Sequence, residues 1–98
     1  MILLKIHKAG DRQIAALCDE SLFGKLYSED DKQLDLTSEF FKGEQLEDID
    51  QLRDLLPHCT SVFAVGPETI DILISLNMLD KNQVKTIAKI PYAEVIFV

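Results

Sequence analysis

Ser61-Val62-Phe63-Ala64-Val65-Gly66-Pro67 decides the fold of this 98-residue chain. The first five residues form an unbroken apolar run of strand length, which predicts a central strand buried on both faces. Gly66 and Pro67 then open a helix, because proline suits the first helical position and glycine is an acceptable cap. Ile70, Leu73 and Ile74 follow at helical spacing as its buried stripe, and Asn77 is its expected stop. A strand that turns directly into a helix belongs to a layered α/β architecture.

Outward from this unit, Ile49, Leu52, Leu55 and Leu56 recur at helical spacing with acids between them. They predict a helix from about residue 47 that ends before Pro57. Downstream, Asp80-Lys81-Asn82 turns the chain. Val84 to Ile87 is an expected strand, Pro91 breaks the line, and residues 92–98 read as a last apolar strand. Val62, Ala64, Leu52 and Leu73 are the expected core.

The first half reads as strands. Ile2, Leu4 and Ile6 alternate with Lys5 and His7, the pattern of a half-buried strand. Ala9-Gly10-Asp11 is a hairpin turn, and residues 13–18 return. Asp19 is placed to cap a short helical turn through Leu22-Phe23 that Gly24 closes. Residues 25–28 and the alternating Leu34 and Leu36 are two further short strands about a polar connection at 29–32. Phe40 and Phe41 are adjacent and cannot both point inward from a strand, so 38–43 is expected to be a helical turn closed by Gly43. The predicted fold is α/β (α+β): a single compact domain over residues 1–98, with a mixed β-sheet, an N-terminal hairpin and two main helices.

Cys18-Asp19-Glu20, Leu22 and Gly24-Lys25 resemble the signature of a small archaeal family of uncharacterised proteins, domain of unknown function 424. Ser38-Glu39-Phe40-Phe41 with Gly43, Ala64-Val65-Gly66 with Glu68, and Pro91 with Ala93 match further along, in order. That family's later segment carries a Gly-Gly pair before the proline and a His-Ala-Gln after it. Here those places hold Ala88-Lys89 and Tyr92-Ala93-Glu94. The resemblance implies an archaeal cytoplasmic setting and a link to translation. It implies no activity, because the family has none assigned.

Composition narrows the function classes. With 47% hydrophobic residues the chain can build a core without disulfides or metal, burying roughly 65% of its unfolded surface. Its apolar runs fall far short of the ~20 residues that span a bilayer, and no secretory segment follows Met1, so a soluble cytoplasmic protein is expected. Two cysteines, Cys18 and Cys59, do not make a disulfide framework and are expected to be free thiols. The formal net charge of −7 is concentrated between Glu29 and Asp54, where ten acids face three basic residues. A general binder of phosphate backbones would show a basic patch instead.

Each chemically suggestive group has a plainer explanation. Cys18 could be a nucleophile beside Lys25, but Asp19 and Glu20 would raise its pKa, and a buried structural thiol is the better account. His58-Cys59 lacks the further ligands that zinc needs. Val65-Gly66-Pro67-Glu68 is a helix start of the kind that binds anions, yet Pro67 removes a donor and Glu68 would repel a phosphate. No catalytic residue, metal site or cofactor is therefore expected. Asp19, Glu20, Lys25, Gly66 and Tyr92 remain as candidate binding residues. They point to a non-enzymatic binding or accessory module with a protein or ribonucleoprotein partner, acting as monomer or homodimer without membrane contact. The alternative is a small enzyme or anion-binding protein that uses the 19–25 turn. A concave pocket holding Asp19, Glu20 and Lys25 together would favour that alternative.

Overall fold

Two long strands start the fold, β1 (Ile2–Ala9) and β2 (Arg12–Asp19), joined by a two-residue turn into the expected antiparallel hairpin. The computed structural model describes residues 1–97; Val98, the end of the expected last strand, lies outside the described residues. A second hairpin follows, β3 (Leu26–Glu29) with β4 (Lys32–Asp35). Among the described residues it pairs with no other strand and forms a separate two-stranded sheet. The chain returns to the main sheet with the short β5 (Glu44–Gln45), then makes α1 (Gln51–Leu55), β6 (Ser61–Val65) and α2 (Pro67–Ser75), and closes with β7 (Lys85–Ile87) and β8 (Ile90–Ile96). Among the described residues no helix is long and apolar enough to cross a membrane.

The main sheet runs in the order β5-β1-β2-β6-β8-β7. β2 and β6 are parallel and every other neighbouring pair is antiparallel, so the sheet is mixed as the sequence predicts. β6 lies inside it, with strands on both sides and apolar layers on both faces. One face buries Ile2, Ala15, Leu17, Val62 and Ala64 against Leu52, Ile70 and Leu73 of the helices. The other buries Leu3, Ala16, Cys18 and Val65 beneath Leu34, Leu36 and Phe41. The four expected core residues are all buried. β1 departs from its expectation: Leu3 is buried as well as Ile2, because the β3–β4 hairpin and the turn at Glu39–Phe41 cover the face that alternation assigned to solvent.

α1 is shorter than expected. The Leu46 amide is held by the Ile2 carbonyl at 2.8 Å, and the Asp48 carboxylate accepts from the Asp50 amide at 3.0 Å. Residues 47–50 therefore turn the chain instead of coiling it, and Ile49 stays exposed. α1 does end before Pro57, as expected, closing at Leu55. Pro57 then sits in a 3-10 turn, Leu56–His58, at an early position where its missing amide costs nothing. Pro91 lies inside β8 rather than before it.

α2 begins and ends where expected. Asn77 adopts a left-handed φ of 60°. Its amide bonds to the Ile74 carbonyl and the Met78 amide to that of Leu73, the paired closure of a Schellman motif.

The β7–β8 turn contains Ala88 and Lys89, at φ 51° and 66°. Two consecutive left-handed residues make the turn that suits hairpin twist, and side chains disfavour it. Lys89→Gly should relieve this strain and raise stability by roughly 1 kcal/mol, read as a higher urea midpoint at unchanged m-value.

Candidate binding surface

The parallel register of β2 with β6 sets Cys18 opposite Val65. The next residue of each strand, Asp19 and Gly66, then stand side by side at the start of α2. Gly66 occupies the N-cap position but has no side chain to cap with. Asp19 supplies the missing acceptor. Its carboxylate takes the Glu68 amide at 3.0 Å, the Thr69 amide at 2.8 Å and the Thr69 hydroxyl at 2.7 Å. These are the amides that an N-cap side chain normally satisfies, and the helix dipole favours the negative charge.

Asp19 therefore does not cap the short turn that follows it. That turn, a 3-10 segment at Glu20–Leu22, has no side-chain cap. Nor is Asp19 exposed: it is 4% accessible. The absence of a side chain at Gly66 makes the arrangement possible, since a Cβ there would fall 2.4–2.7 Å from the Asp19 carboxylate. The anion at this helix start is thus the protein's own.

The remaining candidates spread apart. Glu20 is exposed and accepts from the Gln45 side chain at 2.5 Å. Lys25 is exposed, and its carbonyl holds the Leu36 amide at 3.0 Å. Its ammonium does not fold back onto the neighbouring carboxylates: among the described residues it enters no ion pair. Tyr92 is half-buried on the hairpin side of the sheet, stacked on Phe63 with ring centroids 6.3 Å apart. Asp19 and Gly66 are in contact; Glu20, Lys25 and Tyr92 do not join them in one pocket.

Cys18 is fully buried, and its thiol is pushed up to about 11 by that burial and by the adjacent Asp19 charge. Cys59 is buried too, and burial raises its pKa. Its sulfur sits between the Gln13 side chain and the Leu55 carbonyl. His58 points to solvent while Cys59 points inward, so the two are not a ligand pair. Among the described residues no three His, Cys, Asp or Glu side chains are grouped to hold a metal ion.

Two features lay outside the sequence reading. The first is an aromatic row on the hairpin side. His7 stacks on Phe40 at 4.4 Å, and Phe40 and Phe41 meet Phe63 edge-on. His7 Nε2 lies 2.9 Å from the Phe40 carbonyl, which can only accept, so that nitrogen carries the proton. The adjacent aromatic pair at 40–41 was the available signal. The second is an open cleft of about 640 Å³ along β1. Leu4, Ile6 and Leu46 form its apolar side, and Glu39, Lys42 and Gln51 rim it. Gly43 closes one end so tightly that a Cβ would lie 2.2 Å from the Leu4 carbonyl oxygen. A cleft between segments 33 or more residues apart leaves no local pattern in the sequence.

Comparison with known proteins bears on the fold and the family. A family model described as a protein of unknown function (DUF424) matches residues 7–98. A crystal structure of an uncharacterized conserved protein from Methanopyrus kandleri superposes with a TM-score of 0.83 at 20% identity, over 96% of this chain and 89% of that one. At that identity the likeness shows a shared fold. Among curated proteins none matches the chain.

Asp19→Ala should destabilise the protein by roughly 2–4 kcal/mol, because it strands buried donors at the start of α2. Thr69→Val should cost less, and chemical denaturation would check both. The buried thiol gives a pH dependence. Its folded pKa lies above its unfolded value, so the folded state holds the proton longer. Stability should be flat up to about pH 9 and decline as pH rises toward 11. Cys18→Ala should flatten that decline in denaturation midpoints taken across the range.

Proposed function

The chain belongs to the DUF424 family of proteins of unknown function, and from that premise we propose that it is a non-enzymatic binding module that docks onto a protein or ribonucleoprotein partner. The observation that carries this reading is the filled start of α2. The acid best placed for chemistry, Asp19, is enclosed with its oxygens on two amides and a hydroxyl. A general acid or base must reach a substrate proton, and Asp19 faces its own helix. The open cleft lies along β1 and is lined by other residues. Both thiols are buried and held toward the neutral form, the opposite of an activated cysteine.

A protein surface is favoured over bare nucleic acid by the charge. Acids dominate between Glu29 and Asp54, and a phosphate backbone would be repelled there. The family resemblance supports the rest of the reading, a cytoplasmic module linked to translation. The full chain used as bait in an extract of its source organism should retain a partner that mass spectrometry identifies. The complex should then re-form from the two purified components at fixed stoichiometry. Failure to rebuild any complex would overturn the reading, as would turnover of an ester or phosphoester substrate that Lys25→Ala abolishes.

A further inference from the structure

We propose that the outer edge of β1 at residues 6–8 receives an extended acidic segment of a partner protein, which adds to the sheet as a strand antiparallel to β1. This deepens the binding-module reading and rests on it.

The backbone defines the edge. The Leu46 amide donates to the Ile2 carbonyl from the β5 side. Backbone groups alternate along a strand, so those of Leu4, Ile6 and Lys8 face the same side as Ile2. β5 pairs with Leu3 and Leu4 and goes no further. Beyond it, the N–H and C=O groups of Ile6 and Lys8 project away from β2, and among the described residues no backbone group pairs with them there. The segment carries no proline, and its register with β2 is unbroken from Ile2 to Ala9. It is a straight, available template of the kind that strand addition uses.

The side chains select the occupant. The cleft runs along this edge, with apolar Leu4, Ile6 and Leu46 in it. Lys5 and Lys8 are exposed on opposite faces of β1. Glu39 and Glu44 lie at the β5 end, and Glu39 is already near Lys42 at 3.9 Å. A second copy of this chain pairing edge to edge would gather the lysines of both copies in one short ladder, and like charges across strands repel. An acidic segment meets the same lysines favourably. β5, the chain's own antiparallel addition to this edge, sets the direction. Read from its N-terminus, the incoming strand would then place an acid opposite Lys8, any residue opposite His7 and an apolar residue opposite Ile6, and would end there because Gly43 already lies against Leu4 and Lys5.

The test is selection of a displayed peptide library on the immobilised full chain, followed by binding and amide exchange with a recovered peptide. Recovered peptides should carry the acid, any, apolar order. The Ile6 and Lys8 amides should slow in exchange on binding, whereas Lys5 and His7, already bonded to β2, should not change. Lys8→Pro removes one outward N–H from an exposed position without touching the β2 pairing, and should weaken binding by roughly tenfold or more. Lys8→Ala keeps that N–H and should weaken it by a few-fold at most. Recovery of no peptide, protection elsewhere, or equal binding by Lys8→Pro would overturn the proposal. A dimer in solution that Lys8→Pro dissociates would overturn the acidic occupant in favour of a second copy. A rebuilt natural complex that tolerates Lys8→Pro would remove the edge assignment and leave the binding module standing.

Discussion

One carboxylate holds the layers in register. Asp19 ends β2, and its oxygens close the start of α2 49 and 50 residues further along the chain. The contact requires that β2 and β6 run parallel with Cys18 opposite Val65. It also requires that residue 66 carry no side chain. A slip of β2 by one residue would send Asp19 to the hairpin face and strip the helix of its cap. The Gly66 amide meanwhile donates to the Pro91 carbonyl at 2.8 Å, which ties β8 to the same junction. Two inner strands, a helix and a third strand thus converge on one buried charge, and the burial that makes this charge structural also removes it from the solvent side.

The apolar layers explain the rest of the shape. The helix side is an ordinary sheet-on-helix core. The opposite side has no helix of its own, and the β3–β4 hairpin takes that place. It is fastened at both ends. Gly24 and Lys25 exchange backbone bonds with Leu36 at its base, and the Glu29 carboxylate near its tip accepts from the Ala88 amide at 2.9 Å. Phe41, Phe40 and Phe63 fill the space between hairpin and sheet with rings at steep angles, the arrangement in which aromatic edges meet faces.

What was legible in the sequence was whatever local chemistry dictates. The run Ser61–Val65, the Gly66-Pro67 helix start, the Asn77 stop and the opening hairpin carry short-range signals, and the structure has all of them. The start of α1 was misread because an Asx turn at Asp48 competes with helix over the same acidic residues. The partner of Asp19 was misread for a related reason. A cap is assigned by proximity in sequence, and the nearer 3-10 turn stood in front of a helix that only the sheet brings close. β5 has two residues, too few for any period to show. The cleft on β1 arises where two distant segments, 4–6 and 39–51, meet, and no short window along the chain contains both.

The strand order carries a consequence for how the chain is made. β6 sits between β2 and β8, and β8 follows it by a whole helix and a further strand. During synthesis β6 can join β2 as soon as it emerges, but its other edge has no mate until residues 90–96 leave the ribosome. Through that interval an apolar strand, buried on both faces in the finished sheet, presents bare backbone groups to its surroundings. The time that residues 90–96 take to dock once β6 is free sets how long this intermediate persists. A delay in that docking would lengthen the window for misassociation with other nascent chains.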